Sequence, residues 1–283
     1  MKFIFFGTPD FAAIILEKLI NSGYVPKAVV CNPDKPVGRK KIITPPPVKV
    51  LIMKHEIWNI PVLQPEKLDK SFMLQVSSSI TDIFIVAAYA NIIPKEILNI
   101  PKLGTIGIHP SLLPKYRGAT PIQTAILNND QETGTTLFLM DEKLDHGAII
   151  ANSEFRIQNS EWNYEALMKK LANLSADLLI KTLPDFIAGK ITPLPQDESL
   201  ATFTKKFKTE DAFIKPEDLK QAEISGGSLA LEIERKIRAF NPEPGAYTTI
   251  ENKRTKLLEA KIINNKLKLT KIQTEGKTPT VLN

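Results

Sequence analysis

The chain begins with a strand–helix–strand pattern that few fold classes can accommodate. Residues 2–32 read KFIFFGTPDFAAIILEKLINSGYVPKAVVCN, in which two apolar runs flank a segment with apolar side chains at helical spacing. Pro9 stands at the start of this predicted helix and Gly23 follows its end, as is typical of helix termini. Two consecutive buried strands with a helix between them indicate the start of a parallel α/β sheet.

Further apolar runs continue this pattern along the chain. The predicted strands are residues 82–87, 105–108, 135–140 and 148–155, and the predicted helices are residues 121–127 and 164–188. We therefore predict an α/β fold with an open parallel sheet and helices on both of its faces. In such sheets the ligand site lies beyond the carboxyl ends of the strands.

The pattern changes near residue 190. Residues 190–207, KITPLPQDESLATFTKKF, have no clear period and contain two prolines, which is typical of a linker. SLALEIERKIRAF then predicts one helix, and the residues after it alternate around the Asn264–Asn265 pair as short antiparallel strands do. We predict a large α/β domain over residues 1–189, a linker over 190–207 and a small β-rich domain over 208–283.

The composition excludes several classes of protein. The chain has one cysteine, Cys31, and no spaced Cys/His set, so we predict neither a disulfide framework nor a metal site. The apolar run at residues 3–6 is too short for the core of a signal peptide, and no run approaches the ~20 apolar residues of a membrane span. We expect a cytoplasmic protein with no membrane partner.

The positive charge is concentrated near the end of the chain. The segment Lys253–Lys277 contains eight Lys and Arg side chains against two Glu, a net charge of +6, and the whole chain has a formal net charge of +6. A basic patch of this kind is expected either to bind a polyanion or to be a solvated, Lys-rich edge that keeps strands from aggregating. Charge alone favours neither reading.

His109 and Asp145 are the candidate catalytic residues. His109 directly follows a predicted strand in LGTIGIHPSLLPKYRGATPIQ, and Asp145 lies in a polar turn, MDEKLDHGAII, between two others. An Asp beside a His orients the imidazole and favours its protonated form, which suits proton transfer near neutral pH. The alternative is a structural His and an Asp that caps a turn.

A basic loop follows the second predicted strand. Residues 33–50, PDKPVGRKKIITPPPVKV, contain Arg39, Lys40 and Lys41 in a row. Such a loop is either a solvated excursion or an arm that contacts phosphates. The earlier GTPDF turn is not a GxGxxG fingerprint, so the sequence does not favour a dinucleotide site.

These segments together resemble the methionyl-tRNA formyltransferase family, a branch of the folate-dependent formyltransferases. SLLPKYRGATPIQ is specific for folate-dependent formyltransferases, and QPEKL and IRAFNPEPGAY, with the basic loop, narrow the resemblance to the branch that modifies tRNA. The matching segments, in chain order, are FFGTPDFAAIILEKL, NPDKPVGRKKIITPPPVK, PVLQPEKL, VAAYANIIPKEIL, IHPSLLPKYRGATPIQTAI, LFLMDEKLDHGAIIA, IRAFNPEPGAYT and QTEGKTP.

The resemblance implies a Rossmann-like formyltransferase domain followed by a C-terminal barrel of the OB type. It implies transfer of a formyl group from 10-formyltetrahydrofolate to the α-amino group of methionyl initiator tRNA, for translation initiation, by a monomer. It assigns tRNA binding to Arg39, Lys40 and Lys41. The residues expected at the folate are Tyr89, Ala90, Asn91, Ile92, Ser111 and Leu112.

The chain departs from the family at one catalytic position. The family uses a triad of Asn, His and Asp; His109 and Asp145 stand at two of these positions, and Gly107 stands where the Asn is expected. Formyl transfer develops an oxyanion on the carbonyl oxygen, and loss of one oxyanion donor typically slows such a reaction by about 10²–10³-fold. We therefore expect an impaired rate, with a protonated His109 or a water molecule in the vacated space donating instead.

Two other functions stay open on the sequence. A formyltransferase acting on an amino sugar nucleotide would share the SLLPKYRG loop and the folate donor, without needing the basic loop or the basic C-terminal segment. A non-catalytic protein that binds tRNA or folate would account for Gly107.

Overall fold

The computed structural model describes residues 1–38, 40–77, 81–157 and 162–282. Two compact units divide the chain, and neither is continuous in sequence. The first unit comprises Met1–Arg117, Gly134–Phe155 and Lys169–Thr202, and the second comprises Gly118–Thr133, Arg156–Met168 and Phe203–Asn283. Residues 190–202 of the predicted linker thus belong to the first unit. The chain-continuous domain boundaries expected from the sequence stay a prediction.

The strands and helices alternate over the first half of the chain. The strands are β1 (Phe3–Gly7), β2 (Ala28–Val30), β3 (Lys35–Val37), β4 (Ile42–Thr44), β5 (Val62–Leu63), β6 (Ile83–Ala87), β7 (Thr105–His109), β8 (Arg117–Gly118), β9 (Glu132–Leu139), β10 (Ile149–Arg156), β11 (Phe203–Thr204), β12 (Tyr247–Ile250), β13 (Lys253–Ile263), β14 (Lys266–Thr274) and β15 (Thr280–Val281). The helices are α1 (Asp10–Asn21), α2 (Pro47–Lys54), α3 (Lys70–Ser77), α4 (Lys95–Leu98), α5 (Pro121–Leu127), α6 (Tyr164–Ile187), α7 (Pro216–Ile224) and α8 (Ser228–Phe240). Among the described residues, no helix is both long and apolar enough to span a bilayer.

A seven-stranded sheet forms the centre of the first unit, in the order β10-β9-β7-β6-β1-β2-β5. Strands β5, β2, β1, β6 and β7 are parallel, as the sequence predicts. Strand β9 pairs antiparallel with β7, so the sheet is mixed. An apolar run reads the same in either direction, which is why periodicity does not reveal the direction of a strand.

The core of the first unit packs directly beneath one of the candidate loops. Every residue of β1, β6 and β7 is buried. The ring of Phe6 contacts Phe72, Phe84 and the edge of Tyr89, the last with ring centroids 5.6 Å apart. Aromatic packing therefore fixes the first residues after β6 to the hydrophobic core.

The second unit contains a four-stranded antiparallel sheet, β12-β13-β14-β15, as expected of the β-rich C-terminal domain. Helix α8 packs against α5, α7 and β13 through a buried apolar face. The predicted Asn turn is confirmed, because Asn264 and Asn265 join β13 to β14 with φ of 51° and 63°. Both turn residues of a type I′ hairpin need a positive φ, and Asn tolerates it better than most residues.

Candidate active site

Three loops of the first unit that carry candidate site residues each hold a non-glycine residue in the left-handed region of backbone space. These residues are Ala88 after β6, Tyr116 after β7 and Asp145 between β9 and β10, with φ of 47°, 63° and 47°. Such conformations cost free energy and persist only where the surrounding structure determines them. All three loops carry residues that the sequence singles out as candidate site residues or as part of the His109 loop.

The structure brings the side chains of His109 and Asp145 together. His109 is the last residue of β7 and is 6% exposed. Its Nδ1 lies 3.6 Å from Oδ2 of Asp145, close enough for ion pairing but beyond hydrogen-bond length. The turn between β9 and β10 therefore places a carboxylate beside Nδ1 of a buried imidazole.

The other ring nitrogen of His109 is committed to the backbone. Nε2 lies 2.8 Å from the carbonyl oxygen of Tyr116. A carbonyl oxygen only accepts hydrogen bonds, so Nε2 carries a hydrogen and donates it. Nδ1 is consequently the nitrogen at which His109 can exchange a proton with a ligand, and it is the nitrogen that faces Asp145.

The space beside Gly107 is filled. Gly107 lies directly opposite Phe138 in the β7–β9 pair, and a Cβ added to it would meet Cζ and Cε1 of Phe138 at 2.5 and 2.6 Å and Cγ of Met140 at 2.9 Å. Phe138 is 2% exposed. The structure thus corrects the expectation of a water molecule in the vacated space, because an aromatic ring covers the glycine.

The loop after β6 exposes the residues expected to contact folate. Ala90 and Asn91 are exposed, and Ile92 is 90% exposed. The Tyr89 phenol is half-buried, and this burial raises its pKa above the usual value for tyrosine. The loop therefore offers exposed residues 90–92 and the Tyr89 phenol to a flat polar ligand, while the Asn91 amide donates to Asn32.

The two candidate folate residues of the His109 loop are more enclosed. The Ser111 side chain is buried, and its hydroxyl donates to the carbonyl oxygen of Lys115 at 2.6 Å, within the loop itself. Leu112 is half-buried. In this arrangement Ser111 shapes the loop through its hydroxyl, and any ligand would meet Leu112 more readily.

A polar cluster that the sequence did not reveal lies at the ends of β2 and β5. Lys49 Nζ contacts both carboxylate oxygens of Asp34, at 3.0 and 2.9 Å, and Gln64 Oε1 at 2.8 Å. Gln64 Nε2 donates to the backbone oxygen of Asn32, whose side chain accepts from Asn91 at 3.2 Å. Hydrogen bonds from Gln64, and then from Lys49, hold the pKa of Asp34 below its usual value. The members of this cluster are far apart in sequence, so no local sequence pattern could have indicated it.

The basic loop forms an exposed two-stranded hairpin, β3–β4, between Asp34 and Lys49. Lys40 and Lys41 are exposed in the connection between its strands. Arg39, the third candidate tRNA-binding residue, lies outside the described residues. The Asp34–Lys49 ion pair joins the two ends of the hairpin segment.

The chain matches two family models. The model described as Formyl transferase matches residues 1–183, and the model described as Formyl transferase, C-terminal domain, matches residues 219–281. The methionyl-tRNA formyltransferase of Staphylococcus epidermidis is 45% identical over 266 residues, which cover 94% of this chain and 81% of that protein.

Two solved structures have a similar fold. The methionyl-tRNA formyltransferase from Clostridium thermocellum has a TM-score of 0.62 and 16% identity, over 97% of this chain and 98% of that chain. The N-formyltransferase from Helicobacter canadensis, in complex with folinic acid and dTDP-3-aminofucose, has a TM-score of 0.65 and 20% identity, over 93% and 88%. At these identities the likeness concerns the fold alone. The match to the formyltransferase models and the 45% identity over most of both proteins establish that the chain belongs to the methionyl-tRNA formyltransferase family.

Proposed function

We propose that this chain transfers a formyl group from 10-formyltetrahydrofolate to the α-amino group of methionyl initiator tRNA, as a cytoplasmic monomer acting in translation initiation. The observation that carries the proposal is the pairing of His109 with Asp145 beside the exposed loop that follows β6. The relative that is 45% identical supports the methionyl-tRNA substrate.

The folate co-substrate supplies the formyl group. The exposed backbone of residues 90–92 and the neutral Tyr89 phenol are the groups that would hold its polar edge. Asn91 links this loop to Asn32 through its amide. We assign Leu112 to the wall of the same site and Ser111 to the support of the loop behind it.

In this proposal His109 and Asp145 carry out the proton transfer. The attacking amine must lose a proton as the new bond forms, and the former carbonyl oxygen gains negative charge. The carboxylate of Asp145 lies 3.6 Å from Nδ1 and orients the imidazole, while the Tyr116 carbonyl oxygen accepts a hydrogen bond from Nε2. Because Gly107 offers no amide, Nδ1–H of His109 is the side-chain donor left to this pair for the oxyanion. The Asp145 carboxylate accepts the proton that the amine loses, and this proton passes to N10 of tetrahydrofolate as the bond from N10 to the formyl carbon breaks.

The proposed function is tested by single-turnover assays on the purified chain. We expect formyl transfer from 10-formyltetrahydrofolate to methionyl initiator tRNA and none to a dTDP-linked amino sugar. Formylation of the amino sugar alone would identify a sugar formyltransferase. If the chain formylates neither acceptor but still binds initiator tRNA, the result supports a non-catalytic binding protein, the alternative that Gly107 favours.

The basic hairpin is assigned to the tRNA. We expect Lys40→Ala combined with Lys41→Ala to weaken tRNA binding and to reduce the slope of log affinity against log salt by about 2, since each lost phosphate contact removes about 1. The matched control is Lys181→Ala combined with Lys190→Ala, which removes the same charge from exposed positions of the first unit. An unchanged slope in the hairpin variant would exclude Lys40 and Lys41 as phosphate contacts. The Arg39 assignment stays a prediction that Arg39→Ala tests in the same titration.

A further inference from the structure

Gln196 holds the turn that carries Asp145. Its side-chain Nε2 donates to the carbonyl oxygens of Asp145 and Gly147, at 2.9 and 2.8 Å. Both amide hydrogens are therefore used on one turn, on either side of His146. Asp145 has a φ of 47°, a conformation that an L-residue keeps only when its surroundings impose it.

The other side of the Gln196 amide is fixed by a buried arginine. Its Oε1 accepts from Nε and Nη2 of Arg117, at 3.1 and 2.7 Å, and Arg117 is 2% exposed. Arg117 also forms a bidentate pair with Glu198, at 2.9 and 2.6 Å, and this guanidinium lowers the pKa of the Glu198 carboxyl. Glu198 in turn lies 3.5 Å from Nε2 of His146. The amide of Gln196 is thus held at the orientation that directs its hydrogens to the turn.

The same stretch of chain also braces the residue that binds His109. Thr202 Oγ1 accepts from the backbone N–H of Tyr116 at 2.8 Å, and the Thr202 carbonyl oxygen accepts from the N–H of Arg117 at 2.9 Å. The carbonyl oxygen of Tyr116 is the partner of His109 Nε2. Residues 194–202, which the sequence predicts to be linker, therefore contact the support of both members of the catalytic pair. This stretch is called the brace below.

We propose that Gln196 is a positioning residue for the formyl transfer reaction: through the brace it sets the distance between the Asp145 carboxylate and His109 Nδ1. The proposal rests on the proposed function. Gln196 acts through two backbone carbonyls and touches neither substrate. Loss of its donors should let the turn relax from the strained conformation at Asp145, while the loop after β6 keeps its structure.

The test compares three variants of the full chain. Gln196→Ala removes all four contacts of the amide. Gln196→Glu keeps an oxygen for Arg117 and removes both donors to the turn. Gln131→Ala is the matched control, because it also removes a glutamine amide that donates to a backbone carbonyl oxygen, that of Asn129 at 3.1 Å, outside the brace.

We expect kcat to fall by up to about 100-fold in both Gln196 variants, since a misplacement of about 1 Å in a catalytic site costs about that factor. KM for folate and for tRNA should change little, and Gln131→Ala should retain the parental kcat. Hydrogen–deuterium exchange of the peptide over residues 141–148 should accelerate in both Gln196 variants and not in Gln131→Ala. A Gln196→Glu variant with parental kcat would overturn the proposal, because the hydrogen bonds that residue 196 accepts from Arg117 would then be sufficient for the reaction.

The exchange measurement separates this inference from the proposed function. If the parental chain transfers no formyl group, the proposed function fails, and exchange in the 141–148 peptide still decides whether Gln196 holds the turn. Unchanged exchange in both Gln196 variants would overturn the inference whatever the activity. Faster exchange without any loss of kcat would overturn it as well, since the held turn would then have no bearing on the reaction.

Discussion

Gly107→Asn should destabilise the protein and fail to accelerate formyl transfer for as long as Phe138 keeps its ring. The new Cβ would lie 2.5 Å from Phe138 Cζ, and Phe138 is buried, so the ring cannot move aside freely. Overpacking of this kind typically costs about 1–3 kcal/mol of unfolding free energy. Urea unfolding of the parent and of the Gly107→Asn variant measures this cost.

Truncation of Phe138 should reverse the outcome. Phe138→Leu removes Cε1 and Cζ, the atoms that occupy the position, and leaves the flexible Met140 side chain as the remaining close contact. In the Phe138→Leu background we expect Gly107→Asn to raise the single-turnover rate by about 10²-fold, the size of one recovered oxyanion donor.

Gly107→Ala in the same background is the control for this prediction, because it fills the same space without an amide. The two substitutions lie in direct contact across β7 and β9, so their effects should not add. If Gly107→Ala and Gly107→Asn accelerate the reaction equally, the missing amide has no part in the slow rate. If neither accelerates it, the site already has a sufficient donor.

His109→Gln should lower the single-turnover rate of formyl transfer by about 10²–10⁴-fold, the usual contribution of a general acid or base. Glutamine retains an amide N–H that can donate to the Tyr116 carbonyl oxygen, so the loop keeps its support, while the amide cannot act as a general acid or base. His109→Ala should show the same loss of rate, with an additional loss of stability of about 0.5–1.5 kcal/mol from the lost hydrogen bond to the Tyr116 carbonyl oxygen.

The control for this prediction is His55→Ala, because the His55 ring stacks on Trp58 at a centroid distance of 4.2 Å and has no assigned part in the site. His55→Ala should leave the rate unchanged. Binding of tRNA to the His109→Gln variant should persist, since the basic hairpin is unaltered. A rate in His109→Gln within a few-fold of the parent would remove His109 from the mechanism.

Local sequence signals predicted the elements whose cause is local. The strand–helix–strand start, the apolar run of β6 and the Asn264–Asn265 turn follow from apolar spacing and from the backbone freedom of Asn. The basic segment was predicted as a loop, either a solvated excursion or an arm that contacts phosphates, and the structure contains the β3–β4 hairpin within it. Its short strands have exposed side chains, so no alternation of buried and exposed positions marks them in the sequence.

The candidate site divides in the same way. His109 and Asp145 were identified from their places after a strand and within a polar turn, and the family resemblance gave them roles. The contribution of Gln196 depends on hydrogen bonds to residues about 50 positions away, in a segment that reads as a linker. A side chain whose partners are backbone carbonyl groups leaves no trace in local composition, because every residue offers such a group.

The sequence by itself determined the α/β start of the fold, the β-rich end, the basic loop and the unusual glycine at position 107. Tertiary structure alone decided the direction of β9 and, through it, which side chain fills the space beside Gly107. Antiparallel pairing sets Phe138 opposite Gly107, and its ring fills the volume that an Asn side chain would need. Packing is a property of residues distant in sequence that share one volume, and local patterns carry no record of which neighbour fills it.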